Sequence, residues 1–459
     1  MISPSLHPEP VRALCERRRR AAFALTPRAI VLLVAGFLLL IPGFYVPRMS
    51  YAMLVWDALV LVACLLDGLR LPKPAKIMAE RSWSNAPSLE SETEIEIAIE
   101  NQSRVLLDCR VVDDLPKALA AEPRSLRLQA FPHVPARARY RVRPQERGDY
   151  ETGWLYLRYR SPLGLGEKWA KANLTQEVRI YPALRTSEEQ QIFLARSRQI
   201  ELQLRQARQR GLGRDFESLR DYREGDDLRD ICWTATARRG SLITRQYQTE
   251  RSQAVWLVLD CGRLMRSRSA QEQTKLDHAC ATAVALAQLA LYSGDRVGLL
   301  AYGQSVQQRL LPGRGAAHLR QIIELLAQVR TETGEADHLR ATAMLNRLQP
   351  RRSLILWVTD LAETAMRPEV IDGAMQLLRR HVLLFVAMAQ PEVERIAQAR
   401  PTNVEDMFRS AAAQEMAGRR ELLLAQLAEQ GALTLDLDPE SLTSAVLNQY
   451  LRVKERAMV

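Results

Sequence analysis

The chain has no spacing of cysteine or histidine that would hold a metal or a disulfide framework. Its six cysteines, Cys15, Cys64, Cys109, Cys232, Cys261 and Cys280, are scattered without one Cys-x-x-Cys pair. That argues against a zinc ribbon and fits a reducing compartment. The six histidines, His7, His133, His278, His318, His338 and His381, show no His-Glu-x-x-His spacing, and each reads as a surface or satisfied structural residue. A phosphate loop is missing too: Gly211-Leu212-Gly213 lacks a third glycine, a preceding buried strand and a following Gly-Lys-Ser/Thr. No serine, histidine and aspartate arrangement, cysteine and histidine pair or spaced carboxylate couple marks a catalytic centre. The expectation is a protein that is not an enzyme and carries no cofactor.

Signatures of nucleic-acid binding are equally scarce. The net charge is +11 over 459 residues, yet no arginine-rich run is interleaved with aromatics, and no zinc-finger or RNA-recognition pattern occurs. Many basic residues instead flank an apolar region, as membrane topology requires, so no nucleic-acid partner is expected. With 47% hydrophobic and 25% charged residues the composition is that of globular protein, long enough for two or three domains.

Residues 29–46, AIVLLVAGFLLLIPGFYV, form an uncharged run close to the length of a membrane-crossing helix. Tyr51 to Leu69 is long enough to return, and Pro47 to Ser50 allows only a tight connection. The run exceeds a usual signal-peptide core, lacks a small-residue cleavage site and is followed by a second span, which disfavours cleavage. Asp57 and Asp67 interrupt the second span; each is either an interfacial carboxylate or a contact to a polar partner. Arg17 to Arg20 and Arg28 precede the hairpin, Arg70, Lys73 and Lys76 follow it, and the connector offers only Arg48. The positive-inside bias therefore places a basic tail, residues 1–28, and everything after the hairpin, residues 29–71, in the cytoplasm.

From 77 to 184 apolar and polar residues alternate with period two, as in Ile95, Ile97 and Ile99 against Glu94, Glu96 and Glu100, and turn residues separate the runs. A β-sandwich is expected there. Residues 185–252 combine a helix, Glu188 to Arg210, with a segment dense in arginine and aspartate. From 253 to 452, apolar runs at Ala254 to Leu259, Arg296 to Tyr302, Ser353 to Thr359, His381 to Met388 and Ala432 to Leu437 alternate with helical stretches. That pattern predicts an α/β doubly wound domain around a parallel sheet.

The charged segment, residues 211–251, is the most specific stretch. Gly211, Gly213, Asp215, Phe216, Leu219, Arg220, Tyr222, Gly225, Asp226, Asp227, Arg229, Ile231, Trp233, Ala237 and Arg238 stand at spacings that resemble the signature of the bacterial domain-of-unknown-function 58 family. Two roles suit Arg220, Tyr222, Asp226, Asp227, Arg229, Trp233 and Arg238. They form either an internal clamp, since the guanidinium fork binds carboxylates bidentately, or a docking surface with aromatic anchors in a charged rim.

Two strands of the α/β region end in aspartate, Asp260 and Asp360, and ligands bind at the carboxyl ends of such strands. This order resembles a von Willebrand factor A domain, whose metal site reads Asp-x-Ser-x-Ser. Here the residues are Asp260, Cys261, Gly262, Arg263 and Leu264, without the two hydroxyls. Magnesium needs a near-octahedral shell of oxygens, so no metal is expected, with Asp260 and Asp360 as the only candidate ligands. Arg263 is expected to pair with Asp260 in its place, and the loop Thr331 to Glu335 lies where that family supplies a threonine. The resemblance to the domain-of-unknown-function 58 family implies partnership with a MoxR-type AAA+ ATPase, as adaptor or substrate, and with the hairpin and its basic flanks the expectation is a two-pass protein of the bacterial inner membrane. The alternatives are a metal-dependent ligand-binding or hydrolytic domain and an envelope scaffold without an ATPase.

Overall fold

Alternating burial builds the first part of the chain. In Thr93–Asn101, TEIEIAIEN, every second residue is buried, and Ile77–Trp83 repeats the pattern in antiparallel register, Trp83 opposite Ile95. The computed structural model describes residues 8–17, 23–39, 50–119, 121–122, 125–183, 192–199, 216–223, 228, 231–247, 253–269, 273–361 and 369–456. The chain divides into two units, residues 1–183 and 184–459.

In the first unit one sheet runs in the order Val11–Leu14, Ile77–Trp83, Thr93–Asn101, Ala136–Val142, Ala121–Glu122. A second runs Glu16–Arg17, Gly166–Ala172, Leu155–Arg160, Leu107–Asp113, Leu126–Ala130, with Phe23–Leu25 also paired to Gly166–Ala172. One hydrophobic cluster takes Ile95 and Ile97 from the first sheet and Cys109, Val111, Leu157 and Ala170 from the second. Part of the segment 1–28, expected as a basic tail, thus supplies edge strands. Val11 and Ala13 pack against the core and Cys15 is buried in it, a strand periodicity masked by the arginines around it.

Between those edge strands and the rest of the unit stand the apolar helices. Pro27–Gly36 is capped by Thr26, whose hydroxyl accepts from Ala29 N, and continues as a 3-10 turn at Phe37–Leu39; residues 40–49 lie outside the described residues. Among the described residues Tyr51–Arg70 is the one helix long and apolar enough to cross a bilayer. The two helices touch where Trp56 Nε1 donates to Leu32 O at 3.0 Å. A Cβ on Gly36 would stand 2.6 Å from Asp57 Oδ1, so this approach requires glycine. Asp67 is buried, and its carboxylate accepts from Ser161 Oγ and, at 3.1 Å, from Leu165 N and Gly166 N. It ties the end of the long helix to a turn of the second sheet.

A guanidinium lies within the same unit. Arg81 is fully buried, donates Nε to Asp113 Oδ2 at 3.0 Å, and reaches Thr152 Oγ1 and Leu174 O, each at 2.8 Å; Tyr140 Oη also donates to Asp113. Every bond to the ion is thereby answered inside the core. Replacing Arg81 by methionine strands Asp113 without its counter-charge. The change should cost about 3–5 kcal/mol, read as a lowered urea midpoint of the first unit in the full chain; an unchanged midpoint would contradict the role assigned to this pair.

In the second unit, residues 192–199 are helical, the described part of the helix expected over Glu188 to Arg210, and Arg196 pairs with Glu455 at 3.2 Å. The described part of the charged signature contains a two-stranded ribbon, Phe216–Asp221 antiparallel to Ile243–Tyr247, with a helix, Trp233–Arg239, between its strands. Gly240, at φ 71°, ends that helix in the left-handed conformation glycine tolerates.

The main sheet has six strands: β1 (Ala254–Asp260), β2 (Arg296–Tyr302), β3 (Val306–Gly313), β4 (Leu354–Thr359), β5 (Val382–Met388) and β6 (Leu433–Leu437), in the order β3-β2-β1-β4-β5-β6. All neighbours are parallel except β3 on β2. β1, β4 and β5 are buried along their whole length, which is why they read as continuous apolar runs. The edge strand β3, VQQRLLPG, is only half-buried, is interrupted by Gln307, Gln308 and Arg309, and carried no such signal. Helices α1 (Lys275–Tyr292), α2 (Gly315–Gln328), α3 (His338–Leu348), α4 (Glu369–Leu378), α5 (Pro391–Gln398), α6 (Val404–Glu429) and α7 (Leu442–Glu455) complete the doubly wound α/β unit. Trp256, Trp357 and Phe385 of the sheet share a cluster with Leu345 of α3, Ala374 of α4 and Leu427 of α6.

Candidate functional site at the strand ends

From β1 the chain turns to β2 on one side, and from β4 to β5 on the other. The crevice between the carboxyl ends of β1 and β4 is therefore the switch point where ligands of such sheets bind. Asp260 closes β1, and Asp360 follows Thr359, the last residue of β4.

Both carboxylates are buried, at 4% and 2% exposure, and their surroundings differ. Asp260 Oδ2 accepts from Thr359 Oγ1 and Oδ1 from Gly262 N, both at 2.7 Å. Burial pushes its pKa up to about 6 against those two bonds, with Asp360 and Glu332 adding like-charge repulsion. The loop after β1 is pressed beneath residues 331–336: Glu332 N donates to Cys261 O at 2.7 Å, and Arg263 N to Gly334 O at 2.9 Å. A Cβ on Gly262 would come within 3.0 Å of Ala336 N. The side chain of Glu332 in this loop accepts from Gln304 N at 2.7 Å and Gln307 Nε2 at 2.9 Å.

Asp360 sits among cations. Lys275 Nζ donates to Oδ2 at 2.6 Å, Arg420 to Oδ1 at 3.3 Å, and Gln390 Nε2 lies 3.2 Å from both oxygens. Arg420 also forks onto Asp436, with Nε at 3.0 Å and its terminal nitrogen at 2.7 Å. Beneath the site, Trp357 Nε1 donates to Tyr302 Oη at 2.7 Å, and Tyr302 Oη lies 2.9 Å from His338 Nδ1.

The structure thus brings Asp260 and Asp360 to one crevice but gives Arg263 another partner. Its guanidinium pairs with Glu335 at 2.7 Å, half-exposed, rather than with Asp260. The loop after Asp260 is bound by its backbone under residues 331–336, and the arginine side chain leaves toward solvent. Lys275, Arg420 and Gln390 were not singled out in the sequence. One signal was available: Lys275 opens α1 inside the capping box of Thr274 and Asp277, where the helix dipole disfavours a cation.

A divalent ion, which the von Willebrand factor A resemblance implies, does not fit these residues. Cys261, Gly262 and Leu264 offer no side-chain oxygen, Asp360 already holds an ammonium and a guanidinium, and each oxygen of Asp260 accepts a hydrogen bond. No group of three or more His, Cys, Asp or Glu suited to a metal gathers among the described residues.

Of the signature residues, Asp226, Asp227 and Arg229 lie outside the described residues. Arg220 is the penultimate residue of the first ribbon strand, half-buried, its guanidinium donating to Asp221 O at 3.2 Å. Tyr222 follows, half-buried, with its backbone bonded to Leu242 O at 2.8 Å. Trp233 opens the short helix at 66% exposure, and Arg238 lies exposed in its last turn. Leu219, Leu228 and Leu242 are exposed in the same segment.

The raised pKa of Asp260 has a stability consequence. Between its ordinary value, 3.8, and about 6 the folded chain binds more proton than the unfolded one, so stability falls as pH rises through that window. Asp260→Asn removes the buried charge and keeps an acceptor for Gly262 N. The variant should melt higher than wild type at pH 7 to 8, by an amount on the order of 3 kcal/mol at most, and the gap should close toward pH 4. Parallel melting curves with a constant offset at all pH values would rule this out.

Comparison with known proteins adds relatives. An uncharacterized protein of Mycobacterium tuberculosis (strain ATCC 25618 / H37Rv) is 27% identical over 185 residues, which are 39% of this chain and 56% of that protein. The match thus spans about half the length of that curated relative. Among solved structures, the conserved hypothetical protein BatB from Bacteroides thetaiotaomicron aligns with TM-score 0.31 and 14% identity, over 44% of this chain and 98% of that one. The SpRpn10 VWA domain aligns with TM-score 0.26 and 12% identity, over 43% and 95%. The fold assignment rests on strand order rather than on these likenesses. Residues 218–417 match the family model described as protein of unknown function DUF58.

Proposed function

We propose that the chain is a membrane-anchored, non-enzymatic interaction protein, with a two-sheet β-sandwich and a von Willebrand factor A-like domain, that works with a MoxR-type AAA+ ATPase. The ATP chemistry then belongs to the partner. The observation that carries the docking role is Trp233, a large aromatic 66% exposed at the start of a helix that ends in Arg238 and Arg239, in a segment that also exposes Leu219, Leu228 and Leu242. Tryptophan and arginine dominate the energetics of protein interfaces, and a clamp onto the protein itself would bury the indole. A non-enzymatic role is supported by the crevice at β1 and β4, whose carboxylates are engaged by Thr359, Lys275 and Arg420.

Two-pass anchoring is supported by the strand pairing of the first unit. Val11–Leu14 precedes the apolar helices and Ile77–Trp83 follows them, yet the two strands pair directly. A chain that returns to the same sheet has crossed the bilayer an even number of times, if at all. The basic residues on both flanks favour the cytoplasmic side of a bacterial inner membrane.

Pull-down of the detergent-solubilised full chain should recover a AAA+ ATPase. Trp233→Ala should weaken binding by roughly 30-fold or more, the loss expected on truncating an aromatic hot spot, while Asp260→Asn leaves it unchanged. Absence of any ATPase would leave the envelope scaffold as the better reading, and recovery untouched by Trp233→Ala would move the surface elsewhere. A reporter fused at the carboxyl terminus should be active only in its cytoplasmic form; activity of a periplasmic reporter would reverse the topology.

A further inference from the structure

We infer that Lys275 supplies, as a covalent part of the chain, the positive charge that a divalent ion would bring to the switch point, so that this crevice keeps its form and meets any partner without metal. Three observations carry the assignment. The ammonium is enclosed by oxygens, Asp360 Oδ2 at 2.6 Å and Met388 O at 3.4 Å, the ligand type a hard cation takes. Lys275 is 4% exposed at the first position of α1, where the helix dipole repels a cation, so that a nearby carboxylate must hold it there. Its backbone is fixed as well: Lys275 N donates to Ser267 O at 2.9 Å, and the Thr274 and Asp277 capping box sets the start of the helix.

Charge balance leads to the same place. Lys275 and Arg420 face Asp360 and Asp436, two cations to two carboxylates, through contacts of 2.6, 3.3 and 2.7 Å. Even with Asp260, ionised above about pH 6, counted as a third carboxylate, a divalent ion added here would give the buried cluster an excess of positive charge, which low-dielectric surroundings penalise. With the ammonium removed, Asp360 keeps only the more distant Arg420 and Gln390, and room opens beside a carboxylate short of a counter-charge. Chelators accordingly should leave the crevice unchanged.

The test is a set of thermal melts of the detergent-solubilised full chain, with EDTA, with millimolar Mg2+ and with millimolar Mn2+. The wild-type melting temperature should be the same in all three. Lys275→Ala should melt lower by roughly 6 °C or more, with part of the loss restored by Mn2+, and Lys275→Gln should behave alike. The double variant Lys275→Ala, Asp360→Asn should melt above Lys275→Ala and ignore Mn2+. A wild-type melting temperature that rises in Mn2+ or falls in EDTA overturns the inference. So does Lys275→Ala melting like wild type, or both single variants ignoring Mn2+. If neither single variant folds, a folded double variant supports the charge role, and an unfolded one overturns it.

Discussion

A carboxylate sealed inside a protein must find a counter-charge, and at Asp360 the chain finds it in residues drawn from across the α/β unit. Lys275 comes from the start of α1, Gln390 from the N-cap of α5 and Arg420 from the middle of α6, which also holds Asp436 on the last residues of β6. The cluster pins two helices to the carboxyl edge of the sheet. Breaking one member of a buried ion pair costs far more than the pair itself contributes, so these elements depend on one another. The neighbouring Asp260 is treated differently, held by a hydroxyl and a backbone N–H with no cation bonded to it, and its pKa rises accordingly.

The first unit uses the same economy of buried charge. Arg81 and Asp113 join the two sheets from inside, and Asp67 joins the long apolar helix to the turn at Ser161 through Gly166. Each ion has its hydrogen bonds provided by residues distant in sequence, so each reports a completed tertiary fold. A helix suited to a bilayer is thereby coupled to the sheet unit by a carboxylate at its end rather than by a flexible linker.

Function in this reading lies where the chain is left exposed. The signature ribbon offers Trp233 and three exposed leucines, whereas the crevice that would take a ligand in a sheet of this order is filled by the chain's own side chains. Exposed aromatic surface combined with a self-neutralised crevice suits a protein that binds other proteins more than one that transforms small molecules.

Periodicity made much of the architecture legible in the sequence alone. The continuous apolar runs of β1, β2, β4 and β5 announced a parallel sheet, because strands buried on both faces have no polar side, and the alternation of Thr93–Asn101 announced a sheet with one wet face. The half-exposed edge strand β3 and the edge strands hidden among the arginines of residues 11–25 stayed illegible, since neither carries a clean period. At the candidate site Asp260 and Asp360 were readable because each ends an apolar run, and the loss of the metal hydroxyls was readable beside them. Which cation replaces the metal was not: Arg263 is adjacent in sequence, yet Lys275 and Arg420 are adjacent in space. Local patterning determined the elements and the strand ends, whereas the partner of each buried charge was decided only by tertiary packing, since Coulomb attraction acts on distance in space and not on separation along the chain.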